Sequence, residues 1–105
     1  MVLAKVYGFG SYFKGSESFG DIDILIVHSS SCGASCLEAI SLKKSLMRIV
    51  DKASITMLSE SEEAELNFIS KASARYLSSY SGDNLRDIVS TISKRGQIIS
   101  QAVPV

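Results

Sequence analysis

With 105 residues and 11 basic against 11 acidic side chains, the chain can build one modest core and carries no charge surplus of the kind general nucleic-acid binding uses. Hydrophobic residues make up 46% of it and charged residues 21%, the balance of a globular protein and not of a disordered one. Its longest aliphatic run, Ile22 to Val27 interrupted by Asp23, is far too short to cross a bilayer, and residues 1–9 lack the length of a signal peptide. A single cytoplasmic domain over residues 1–105, with no membrane contact, is the expectation.

Val2 to Tyr7 reads as a first, buried strand, although Ala4 and Lys5 weaken the pattern. Gly8 and Gly10 flank Phe9 directly after it, which predicts a turn where backbone amides can approach a ligand closely. Ser11 adds a hydroxyl and opens a short helical turn, whose first amides favour phosphate; the rest of the stretch to Gly20 is loop. Ile22 to Val27 is the second strand. Because side chains of a strand alternate, Asp21, Asp23, Leu25 and Val27 share one face and Ile22, Ile24 and Ile26 the other. Carboxylates at i and i+2 lie roughly 6.6 Å apart along a strand. At about 5 Å and an effective dielectric near 20 they repel by roughly 3 kcal/mol when both are ionised. A positive partner is therefore expected, and a hard divalent cation suits two carboxylates while keeping positions open for water and phosphate. Asp-x-Asp alone equally describes a strand cap followed by a solvated acid.

His28, Cys32 and Cys36 form a His-x3-Cys-x3-Cys series, but a structural zinc site wants four ligands and the chain has no further His or Cys. Cys36 is better read as lying on the apolar side of a helix and Cys32 in the loop before it, with a disulfide disfavoured in a reducing cytoplasm. From Ala34 to Val50, the positions Cys36, Leu37, Ile40, Leu42, Leu46, Met47, Ile49 and Val50 recur at helical spacing, with Lys43, Lys44 and Arg48 mainly on the solvated side. A strand, a helix and another strand make a crossover unit, its return direction left open by the Asp51-Lys52 junction.

Ala53 to Leu58 is a third strand, with Ser54, Thr56 and Leu58 on one face and Ala53, Ile55 and Met57 on the other. Ser59 and Glu62 form a capping box, and Glu60, Glu62, Glu63 and Glu65 suit the dipole of a first helical turn, without a catalytic role. Leu66, Phe68, Ile69, Ala72, Tyr76 and Leu77 continue that helix, so the core ends near residue 77. Ser78 to Asp83 reads as a linker. Asp83 then caps a last helix from Asn84 to about Gln101, whose stripe of Leu85, Ile88, Val89, Ile92, Ile98 and Ile99 packs on the sheet or, less readily, stays exposed for a partner.

Gly10-Ser11, nine residues, then Asp21-x-Asp23 followed by Ile24-Leu25-Ile26-Val27 resembles the signature of the polymerase-beta-like nucleotidyltransferases, especially their minimal, antitoxin-type members. The likeness covers the first quarter of the chain and, with the flanking strand and helix, its first half. It implies an α/β domain of the α+β kind, a small mixed sheet with flanking helices. It further implies that Gly10 and Ser11, with Lys14, hold the triphosphate of a nucleoside triphosphate, and that Asp21 and Asp23 carry magnesium or manganese. Lys14-Gly15 stand where many members have Arg and Gly, which keeps the charge and loses the bidentate fork. A nucleoside monophosphate would pass to a hydroxyl. The chain is too short for a second, acceptor-recognising domain, so the acceptor would be a partner protein such as a toxin.

The same resemblance implies a third carboxylate, the base for the acceptor hydroxyl, on the next strand. The best-aligned position is Ser54, which cannot act as one. Asp51, the nearest acid, falls on the face opposite Ser54 and Thr56 unless a bulge intervenes. The alternative is a catalytically degenerate module that binds a nucleotide or a protein. Neither reading chooses the nucleotide or excludes a homo-oligomer.

Overall fold

The computed structural model describes residues 2–29 and 33–95. Ile22–His28, here β2, lies inside a four-stranded mixed sheet of order β3-β2-β1-β4, where β1 is Ala4–Phe9, β3 is Ala53–Ser59 and β4 is Arg75–Tyr80. β1 runs antiparallel to both its neighbours, and β2 and β3 are parallel. The crossover between β2 and β3 is helix α2, Gly33–Ile49, so the return direction is parallel; α1, Gly10–Phe13, is a single turn between β1 and β2. The protein is thus a mixed α and β fold on a small mixed sheet, as expected.

One face of the sheet is sealed by helices. Ile22, Ile24 and Ile26 of β2 join Ala4 and Val6 of β1 and Tyr80 of β4 in a core closed by Leu42 and Leu46 of α2 and by Ile88 and Ile92 of α5, Leu85–Ser93. The opposite face is covered only in part. Leu25 and Val27 are buried there, α3 (Glu60–Leu66) packs on β3 and β2, and Phe68, the first residue of α4 (Phe68–Ala72), meets Phe9 edge-on at 5.2 Å between ring centres. None of the described helices is long and apolar enough to cross a membrane.

Several sequence expectations need correction. The buried stripe of α2 is Ser35, Ala39, Leu42 and Leu46, whereas Leu37 is 69% exposed and Met47 and Ile49 are also exposed. Helical spacing admits several overlapping stripes, and the one that faces the sheet is decided by close approach: Ala39 is small, and the buried Ser35 hydroxyl donates to Leu3 O at 2.8 Å while accepting from Ser29 N at 3.0 Å. Cys36, half-buried, lies beside that stripe; Cys32 lies outside the described residues.

The capping box is present, with Ser59 Oγ accepting from Glu62 N at 3.1 Å and Glu62 Oε1 accepting from Ser59 N at 2.8 Å. The helix it starts does not continue to Leu77. Asn67 turns left-handed at φ 54 and Ser73 at φ 53, and the chain then enters β4. Ser78 and Ser79 therefore pair with β1 and are no linker. An edge strand is half-solvated, so its polar residues hide it from any pattern search.

Asn84, not Asp83, stands at the N-cap position of the last helix, and its side chain makes no capping bond. The Asn84 side chain accepts from Ser81 N at 2.9 Å and donates to Ser79 O at 2.7 Å, while Asp83 accepts from the Ser81 hydroxyl at 2.9 Å. The helix stops at Ser93; Ile98, Ile99 and Gln101 lie outside the described residues. The first strand likewise begins at Ala4 and extends through Phe9, two residues later than expected.

Candidate functional site

Antiparallel pairing sets Phe9, the last residue of β1, opposite Asp23. The loop that leaves β1 therefore turns directly beside the aspartate pair. Gly10 makes that turn at φ +79, a conformation that costs glycine little, and a Cβ at this position would fall on Asp23 Oδ2. The carboxylate of Asp23 thus lies against the bare backbone of residue 10. Gly8 has a different duty: a Cβ there would come within 2.6 Å of the Phe13 ring, so this glycine admits an aromatic from α1 and does not open the strand to a ligand. Tyr12 and Phe13 are both buried, which leaves Ser11 and Lys14 exposed on the outer side of the turn.

Asp21 is exposed and Asp23 partly so. Burial first and the charge of Asp21 second raise the Asp23 pKa above the ordinary carboxylate value. The charge of Asp21 is thus felt at Asp23, as the spacing predicts, and it favours a cation beside Asp23. Among the described residues no group of three His, Cys, Asp or Glu side chains is placed to hold a metal. A cation here would be held by two carboxylates, with water or a ligand for the rest, a donor set suited to magnesium or manganese and not to zinc. His28 is buried, its Nδ1 3.0 Å from Ser29 O.

Register answers the question of the third position. Asp23 pairs with Ser54 and Leu25 with Thr56, without interruption from Ala53 to Ser59. The hydroxyl of Ser54, exposed, is therefore the neighbour of Asp23 on β3. No bulge rotates Asp51 into place. It sits in the turn before β3 and lines a hollow of about 380 Å³ with Tyr12, Ile22, Lys52 and Ile92, on the helix face. A larger hollow of about 770 Å³, between Ile49 of α2 and Leu85 and Val89 of α5, also lies on that side. Neither groove is lined by Asp21 or Asp23.

Tyr12 and Arg95, which sequence patterns did not single out, tie this loop to the end of α5. Contacts between residues some 80 positions apart leave no local signal. Comparison with protein-family models, curated proteins and solved structures found no match.

Proposed function

We propose that this chain is a nucleotidyltransferase-like domain, similar in its site to the polymerase-beta-like enzymes, that binds a nucleoside triphosphate together with magnesium or manganese. The observation that carries the reading is the seating of the Gly10-Ser11 turn against Asp23, beside Asp21, on the open face of β2. Asp21 and Asp23 would hold the cation, which would neutralise phosphate oxygens and orient them. Ser11 offers a hydroxyl and Lys14 a mobile positive charge to the same phosphates.

In transfer, the acceptor hydroxyl oxygen forms a bond to the α-phosphorus, the bond to the bridging oxygen breaks, and pyrophosphate departs. The hydroxyl proton needs a base. Ser54 beside Asp23 supplies none, and this favours a second reading in which binding is retained and transfer is slow or lost. In the first reading a partner protein in the cytoplasm is the acceptor, and in the second the module holds a nucleotide or a protein partner.

Calorimetric titration of Mn²⁺, with and without ATP or GTP, tests the binding half. Wild type should bind, Asp23→Asn should not, and Gly10→Val should bind at least tenfold more weakly, because its side chain must displace the Asp23 carboxylate. Equal binding by wild type and Asp23→Asn would sink the reading.

A further inference from the structure

The Gly10–Ser16 loop has little support of its own. α1 spans four residues, too few to hold a helical turn without tertiary contacts. Three backbone bonds close the loop: Lys14 N to Ser11 O at 3.1 Å, Gly15 N to Tyr12 O at 3.2 Å and Ser16 N to Ser11 O at 3.0 Å. The buried Phe13 anchors it against Gly8, and its side-chain hydrogen bonds to the rest of the protein run to the end of α5 and to Arg95 just beyond it. The Tyr12 hydroxyl donates to Ile92 O at 2.8 Å, and in the reverse sense Arg95 Nη1 donates to Tyr12 O at 3.3 Å and to Ser16 O at 2.7 Å. The same guanidinium lies over the Tyr12 ring at 4.5 Å and the Phe19 ring at 5.5 Å, and the two rings meet edge-on at 4.9 Å.

Arg95 is itself held. Its backbone is left-handed at φ 56, where Arg is uncommon, and its carbonyl accepts from Arg75 Nη1 at 3.2 Å. An arginine in a sparsely populated conformation persists only where its surroundings determine it. At Arg95 the helix end sets the backbone, its N–H donating to Ile92 O at 2.9 Å, and the loop holds the side chain.

We propose that Arg95 is the positioning residue of the nucleotide-binding loop, a role that rests on the reading of Gly10 and Ser11 as its phosphate-binding turn. Arg95 bonds carbonyls on the inner side of the loop, behind the exposed Ser11 and Lys14. It sets where the turn stands relative to Asp23 without touching the nucleotide. The guanidinium donates to both carbonyls through Nη1 while its carbon stands 4.5 Å over the Tyr12 ring. An ammonium is compact and more strongly hydrated and lacks the planar face that stacks on the rings, so lysine is a poorer substitute.

The test compares the full chain with Arg95→Lys and Arg95→Ala. Amide hydrogen exchange is read at Lys14, Gly15 and Ser16, with Ile24 and Ile26 of β2 as the measure of global opening, and ATP and GTP affinities are measured with Mn²⁺. Both variants should exchange about tenfold faster or more at the three loop amides, with Ile24 and Ile26 unchanged and nucleotide affinity reduced. Unaltered loop exchange would overturn the proposal, as would equal acceleration at Ile24 and Ile26, the mark of a merely stabilising contact. Faster loop exchange with unchanged affinity would also overturn it. Failure of wild type to bind either nucleotide would remove the nucleotide reading, and loop exchange would still decide whether Arg95 positions this turn.

Discussion

The two faces of β2 differ although one alternating strand builds both. On one, Ile22, Ile24 and Ile26 are sealed under α2 and α5; on the other, Leu25 and Val27 are equally buried while Asp21 and Asp23, a few residues earlier, reach solvent. The difference teaches that exposure of the candidate site is set by where the cover ends. α3 and the start of α4 lie over part of the second face, and the aspartates occupy the strand end that emerges beside the β1–β2 loop. The grooves, by contrast, lie on the sealed side, and the smaller one contains Asp51, the acid that sequence proximity offered as a base.

The largest expected effect sharpens the open face. A general base contributes about 10² to 10⁴-fold to such a reaction, so Ser54→Asp should raise transfer of labelled nucleotide into protein by a factor in that range if the rest of the site is sound. The assay uses lysate as the source of acceptors. Asp51→Asn, on the other face, should leave transfer unchanged. Robust wild-type activity destroyed by Asp51→Asn would break the distinction between the faces.

Stability tests come next in size. Ile24→Ala removes a fully buried side chain from the sealed face and should cost about 3 kcal/mol in urea unfolding. Leu25→Ala should cost a similar amount, because Leu25 too is fully buried. A much cheaper Leu25→Ala would mean that the cover of α3 and α4 is looser than its burial implies.

The smallest effect concerns charge. In the folded protein the Asp23 pKa is raised by burial and by Asp21, so protonation of Asp23 favours folding. That contribution is fully present below the ordinary carboxylate pKa and is lost as pH rises through the folded-state value. Asp23→Asn should therefore match or exceed wild type at pH 7 without added metal, by about 0.2 to 1 kcal/mol, and the gain should vanish under acid. Thermal unfolding of both proteins from pH 3 to pH 7 decides it. A variant less stable at pH 7 would show that the carboxylate makes a favourable bond in the folded state.

Local rules carried a definite part of this protein. Alternation placed Asp21 and Asp23 together and Ile22, Ile24 and Ile26 opposite them, because a strand's side-chain period needs no knowledge of its neighbours. The capping box at Ser59 and Glu62 was legible for the same reason, its bonds spanning three residues. Parity along β3 put Ser54 and Thr56 on one face before any pairing was known.

Pairing and packing decided the rest. β4 is a strand because the backbone of β1, about 70 residues away, supplies its hydrogen bonds, and nothing in Ser78-Ser79-Tyr80 announces that partner. Which of several apolar stripes on α2 meets the sheet depended on the fit of Ser35 and Ala39 against it. Gly8 is read correctly only once Phe13 is seen to fill its place, and Arg95 only once the end of α5 has come to rest on Tyr12. Such contacts depend on shape and distance between segments remote in the chain, and periodicity within one segment cannot encode them.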